Sequence, residues 1–118
     1  MRNDAAAAPR VFELRTYTTH EGKLADLLAR FRDHTTRLFE KHGMANIGYW
    51  VPQDAPASKN TLIYIVAHAN REAAKKSWDA FRADPAWQEA RKTSEAAGPI
   101  VSKLESIYLD PVDFSALK

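Results

Sequence analysis

The chain begins its regular pattern with a two-residue alternation. Over residues 11–18, Phe12, Leu14 and Thr16 fall on one side of a strand and Glu13, Arg15 and Tyr17 on the other. The period then lengthens. Across residues 23–42, Leu24, Leu27, Leu28, Phe31, Leu38 and Phe39 recur three and four positions apart, which predicts an amphipathic helix. Asp26 with Arg30 and Asp33 with Arg37 read as (i, i+4) pairs on its solvent side. Lys41 and His42 suit its C-terminal end, and Gly43 suits a left-handed cap. Residues 44–51, with Ile47, Tyr49, Trp50 and Val51, predict a second strand ended by Pro52. Residues 52–60 are a loop. Residues 61–69 form a third strand, apolar at both parities through Leu62, Ile63, Tyr64, Ile65 and Val66, the pattern of a strand covered on both faces. Asn70 caps a helix over 71–83 with Ala74, Trp78 and Phe81 inward. Asp84-Pro85 joins an N-cap to a proline preset for a first turn, so a separate helix runs from 85 to about 97, stopping at Gly98-Pro99. A last strand covers 100–109, and a short tail carries Phe114 and Leu117.

This order predicts an α+β domain, a ferredoxin-like βαββαβ plait. It has a four-stranded antiparallel sheet, helices on one face, and the second helix split in two at Asp84-Pro85. The Phe12, Leu14 and Thr16 side is expected beneath the helices, and the Glu13, Arg15 and Tyr17 side on the open face. A third strand apolar on both faces, beside a second strand bearing Tyr49 and Trp50, requires that open face to be covered. The same face of a second copy about a two-fold axis is the economical cover. The expectation is a homodimer whose two sheets close into a dimeric α+β barrel, with a dimer of dimers as a further step.

Composition narrows the classes. Within 118 residues there is room for one domain, here 11–118, after a flexible N-terminal tail at 1–10. With 45% apolar and 27% charged residues the balance is that of a soluble globular chain. Net charge is +2 with Lys and Arg spread along the chain, so no basic face speaks for nucleic acid. The absence of cysteine excludes a disulfide framework, a thiolate metal site and a Cys nucleophile. No apolar run approaches the roughly 20 residues of a membrane helix. Residues 1–10, with Asp4 and a short alanine run, lack a signal-peptide core, so a cytoplasmic location is expected. No glycine-rich phosphate loop, nucleophile elbow or His/Asp/Glu cluster at ligand spacing occurs, and neither a metal site nor a cofactor is expected.

The candidate chemistry lies on the first strand. Arg15 can clamp an anion, Tyr17 can donate a proton and Glu13 can accept one, in a polar pocket inside the dimer barrel. Equally, Glu13 and Arg15 can form an ion pair that sets register between subunits. His34 shares the stripe of Leu27, Phe31 and Leu38, which aims it at the sheet as a candidate base; the alternative is a core-edge histidine bonded to a carbonyl or a tyrosine. Trp50, Tyr64, Trp78 and Trp87 either line an aromatic pocket or are core. Two functions remain open. One is binding of a small aromatic or anionic organic molecule, in its sharper form by a cofactor-free oxygenase or isomerase using His34 or Tyr17. The other is a non-catalytic assembly module. A pocket of roughly 300 Å³ reaching His34 or Tyr17 separates them.

Several segments together resemble the NIPSNAP family. They are Phe12-Glu13-Leu14-Arg15-Thr16-Tyr17, Gly22-Lys23-Leu24, Glu40-Lys41-His42-Gly43, Gly48-Tyr49-Trp50, Asp84-Pro85-Ala86-Trp87 and Asp113-Phe114-Ser115-Ala116-Leu117. The chain departs from the family's Trp-Glu-Tyr-like end of the third strand, having Val66-Ala67-His68 there. The resemblance implies the plait and the dimeric α+β barrel. It brings no settled catalytic residues, and the wider superfamily, which includes cofactor-free monooxygenases, isomerases and haem enzymes, does not fix function.

Overall fold

A computed structural model describes residues 9–118; residues 1–8, most of the expected N-terminal tail, lie outside the described residues. In chain order come β1 (Val11–Thr19), α1 (Leu24–Arg30), a π-helical turn (Phe31–Thr35), α2 (Thr36–Lys41), β2 (Ala45–Trp50), β3 (Thr61–His68), α3 (Arg71–Ala83), α4 (Pro85–Ser94) and β4 (Val101–Leu109). The sheet runs β2-β3-β1-β4 with every neighbouring pair antiparallel. This is the ferredoxin-like α+β fold.

The helix boundaries follow from side-chain caps. Asn70 accepts from the Ala73 amide at 2.7 Å at the start of α3. Asp84 accepts from the Ala86 amide at 2.8 Å with Pro85 in the first turn of α4. The same carboxylate meets Lys41 Nζ at 2.8 Å and His42 Nε2 at 2.7 Å, which ties the end of α2 to the start of α4. Its pKa is pulled far below the usual carboxylate range, first by Lys41 and then by His42. Gly43, at φ +85°, takes the left-handed turn that releases the chain into β2. The core is an aromatic cluster in which Phe39 stacks on Tyr64 at 5.9 Å and meets Trp78 edge-on at 5.2 Å.

The helix predicted over 23–42 is not regular. Leu27, Phe31, Thr35 and Phe39 face the sheet in four-residue steps. Each such step overshoots the 3.6-residue turn, and the π turn absorbs the drift. Thr35 Oγ1 donates to the Arg30 carbonyl at 3.3 Å and Thr36 Oγ1 to the Phe31 carbonyl at 3.2 Å, five residues back in each case. Two expectations fail with it. His34 turns outward and is exposed rather than aimed at the sheet. Arg30 is buried rather than paired with Asp26 on the solvent side, and Arg37 donates to the carbonyl of Asp33 instead of its carboxylate.

The two faces of β1 are the reverse of the expected ones. Glu13, Arg15 and Tyr17 lie beneath the helices: Tyr17 packs on Phe31, and Trp78 of α3 reaches Glu13. Leu14 and Thr16 lie on the open face. There Leu14 is paired with Ile65 and Ile107, and Trp50 with Ile63. Trp50 and Ile107 are more than half exposed. The Trp50 ring lies across Gly48, where a Cβ would come within 2.4 Å of it, so a side chain there would push the exposed ring aside.

Candidate functional site

Period-two spacing delivers Glu13, Arg15 and Tyr17 of β1 to the helix side. The sheet register then sets Tyr64 and Ser106 on either side of Arg15. Burying this trio is possible because every charge finds a partner. Glu13 Oε1 accepts from Trp78 Nε1 at 2.8 Å and from His68 Nε2 at 2.9 Å. Its Oε2 accepts from Arg15 Nη1 at 2.7 Å and Ser106 Oγ at 2.6 Å. Burial alone would raise the pKa of Glu13. The donors from His68, Ser106, Trp78 and Arg15 overcome that and hold it down to about 2. With both oxygens occupied, Glu13 has no capacity left to serve as a base.

Arg15 stands over Trp78, its guanidinium carbon 4.1 Å from the ring centre. Its Nε donates to Tyr64 Oη at 2.8 Å and its Nη2 to Tyr17 Oη at 3.0 Å, and the two hydroxyls are 2.8 Å apart. Burial disfavours the guanidinium charge, but Tyr17, Tyr64 and Glu13 more than restore it, so Arg15 stays charged. Burial also pushes the Tyr64 phenol well above its ordinary pKa, so Tyr64 is a neutral hydroxyl. Arg15 is therefore internally neutralised, and it presents oriented hydrogen bonds more than free charge.

Next to this network the layer between sheet and helices is not filled. A cleft of about 320 Å³ reaches Arg15 and Tyr17, with Phe31, Phe39, Trp78, Phe81 and Trp87 as aromatic walls and Leu104 of β4 on the sheet side. Arg30 and Glu95 complete the wall formed by α1 and the turn after α4. Arg30 is 5% exposed, stands 5.0 Å over the Trp87 ring, and meets Ser94 Oγ at 3.2 Å and Glu95 Oε2 at 3.4 Å.

Of the residues singled out from sequence, Arg15, Tyr17, Trp78 and Trp87 come together at the cleft. Glu13 sits behind Arg15, and Tyr64 behind Tyr17, each one hydrogen bond from the cleft wall. Trp50 is on the opposite face of the sheet. His34 lies in a separate shallow groove with Asp26, Asp33 and Thr93. Arg30 and Glu95 were missed. The signal for Arg30 was present, since it follows Leu27 by three residues on the inward stripe. Among the described residues no three His, Asp or Glu side chains converge as a metal site, and no helix is long and apolar enough to cross a membrane.

The sequence profile of the NIPSNAP family matches residues 12–116. Among solved structures, a NIPSNAP family protein of unknown function from Agrobacterium tumefaciens superposes with a TM-score of 0.80 at 21% identity, over 93% of this chain and 95% of that one. SnoaB, a cofactor-independent oxygenase from Streptomyces nogalater, gives 0.60 at 16% identity over 92% and 99%. The ActVA-Orf6 monooxygenase of Streptomyces coelicolor, solved with the ligand nanaomycin D, gives 0.63 at 11% identity over 93% and 94%. At these identities the likeness is one of fold. No curated protein matches the chain.

Proposed function

The chain belongs to the NIPSNAP family, and on that footing we propose that it binds a small, flat aromatic molecule in the cleft between sheet and helices. The observation that carries this reading is the cleft itself. About 320 Å³ of space reaches Arg15 and Tyr17 and is walled by Trp78, Phe81 and Trp87. Its size is at the lower end for small-molecule sites, and its make-up is theirs: aromatic walls with a few convergent polar groups. Tyr17 and the outer edge of Arg15 orient a polar substituent of the ligand. They are already locked by Glu13 and Tyr64, so little ordering is required on binding.

Binding is favoured over proton abstraction because of the base inventory. Glu13 is saturated with donors, Tyr64 is held neutral, His34 is outside the cleft, and the one carboxylate on the cleft wall among the described residues, Glu95, faces the Arg30 and Arg91 guanidinium groups. The alternative of a module in which the Glu13–Arg15 pair sets register between subunits loses its premise, since that pair lies under the helices of its own subunit. The dimer itself is a separate part of this reading. Leu14, Trp50, Ile63, Ile65 and Ile107 form an apolar open face, and the same face of a second copy covers it in an α+β barrel.

The three tryptophans supply the test. Titration of 15N-labelled protein with 2-naphthol and with 2-naphthoate should shift the indole resonances of Trp78 and Trp87 and leave that of Trp50, across the sheet, in place. No indole shift with either compound, or a shift of Trp50 alone, overturns the cleft as the binding site.

A further inference from the structure

The cleft contains a cation that its own counter-ion holds poorly. Arg30 Nε is buried and has no hydrogen-bond partner among the described residues. The nearest carboxylate, Glu95, touches Arg30 Nη1 at 3.4 Å and the exposed Arg91 Nε at 3.5 Å. Its remaining contact is the Ile100 amide, also at 3.4 Å. These are long, weak contacts for charged partners, whose hydrogen bonds ordinarily close to about 2.7–2.9 Å. By comparison, the Glu13–Arg15 pair at the same cleft closes to 2.7 Å. One carboxylate thus serves two guanidinium groups on the cleft wall, and serves neither well.

The geometry points to a ligand carrying a carboxylate that binds the Nε edge of Arg30, with Glu95 acting as a displaceable internal counter-ion. The inference deepens the cleft reading and rests on it: the ring seats among Trp78, Phe81 and Trp87, and the acid group sits where Arg30 stands over Trp87. A planar carboxylate matches the side-on fork of a guanidinium and gives the unpartnered Nε a partner. Burial already strains the Arg30 charge, lowering its pKa despite Glu95, so an incoming anion has a desolvated cation to neutralise. Arg91 and Arg82 stand along the same wall; Arg82 is drawn off towards Asp79 at 3.1 Å, whereas Arg91 pairs, among the described residues, with Glu95 alone. When the ligand acid takes Arg30, Glu95 swings to Arg91, and the wall stays balanced. Glu95 lies on the turn leaving α4, where a rotamer change leaves the helix intact and gives up the long 3.4 Å bond from the Ile100 amide.

The test compares two ligands of one shape, 2-naphthoate and the neutral 2-naphthol, by calorimetry at pH 7. The acid should bind about tenfold tighter than the phenol. Arg30→Gln should erase that preference, and Arg30→Lys should restore only part of it, because an ammonium keeps the charge and loses the fork. Glu95→Gln should tighten naphthoate several-fold more than it changes naphthol, since the competing carboxylate is gone. Equal affinities for the two ligands, or weaker naphthoate binding in Glu95→Gln, overturn this inference alone. Failure of both ligands to bind the unmodified protein overturns the cleft reading and this one with it. If Arg30→Gln does not fold, the partly exposed Glu95 substitution still decides.

Discussion

The indole N–H of Trp78 and the carboxylate of Glu13 meet at 2.8 Å across the layer that separates α3 from β1. This bond, with those from His68 and Ser106, makes it feasible to bury a charged strand face under helices. It also aims Arg15 at the cleft, because the same carboxylate anchors one end of the guanidinium.

Removing that anchor should be costly. Glu13→Gln leaves Arg15 with its charge buried and unanswered, and loss of one partner of a buried pair costs about 3–5 kcal/mol. Urea denaturation followed by Trp fluorescence should show the midpoint fall with the slope unchanged. A loss below about 1 kcal/mol would mean that Arg15 turns to solvent without penalty, and the pre-ordered cleft would lose its basis.

The same group sets an acid limb. Folding lowers the Glu13 pKa from 4.5 to about 2, so its contribution is complete above about pH 4.5 and is lost as pH falls toward 2. The size is at most about 3–4 kcal/mol, from the shift and about 1.4 kcal/mol per pKa unit. Stability measured from pH 6 to pH 2 should fall more steeply in the unmodified protein than in Glu13→Gln. Asp84, whose pKa is also lowered, adds to the fall in both proteins, so the difference between them isolates Glu13. Parallel curves would contradict the assignment.

On the open face, Ile107 is 54% exposed and opposes Leu14. Within one subunit Ile107→Lys changes stability by no more than about 0.5 kcal/mol. In a sheet-to-sheet dimer it places a lysine in an apolar interface. Sedimentation equilibrium should show the unmodified protein as a dimer and the variant as a monomer. Two monomers would remove the shared barrel from the proposal; two dimers would move the interface elsewhere.

His34 provides the control. It is exposed and outside the cleft. His34→Ala should leave naphthoate affinity within about twofold and stability within about 0.5 kcal/mol. A large loss of binding would return the site to the groove beside α4.

Much of the fold was legible because it depends on period and punctuation. Helix spacing, the Asn70 cap and the Asp84-Pro85 restart gave α3 its observed ends and α4 its observed start. The two-sided apolar run of β3 correctly marked an inner strand. The faces of β1 were not legible in the same way. Alternation separates two sets of side chains without saying which one the helices cover, and polarity pointed to the wrong set. Residues far along the chain decided it. Trp78, His68 and Ser106 supply the donors that make Glu13 buriable, while Leu14, Ile65 and Ile107 meet as neighbours only once the strands are paired.

By itself, then, the sequence determined the elements, their order and the plait they form, since these follow from backbone preference and hydrophobic spacing within short windows. The tertiary structure alone decided which polar side chains gather at the cleft. A π turn, summed over four-residue steps, sends His34 outward, while Arg30 lies buried on the stripe of Leu27 and Phe31. The cleft is space left between elements, and no local pattern encodes a space. One ion pair on its wall joins Arg30 and Glu95, 65 residues apart in the chain and brought together by packing of α1 against the end of α4.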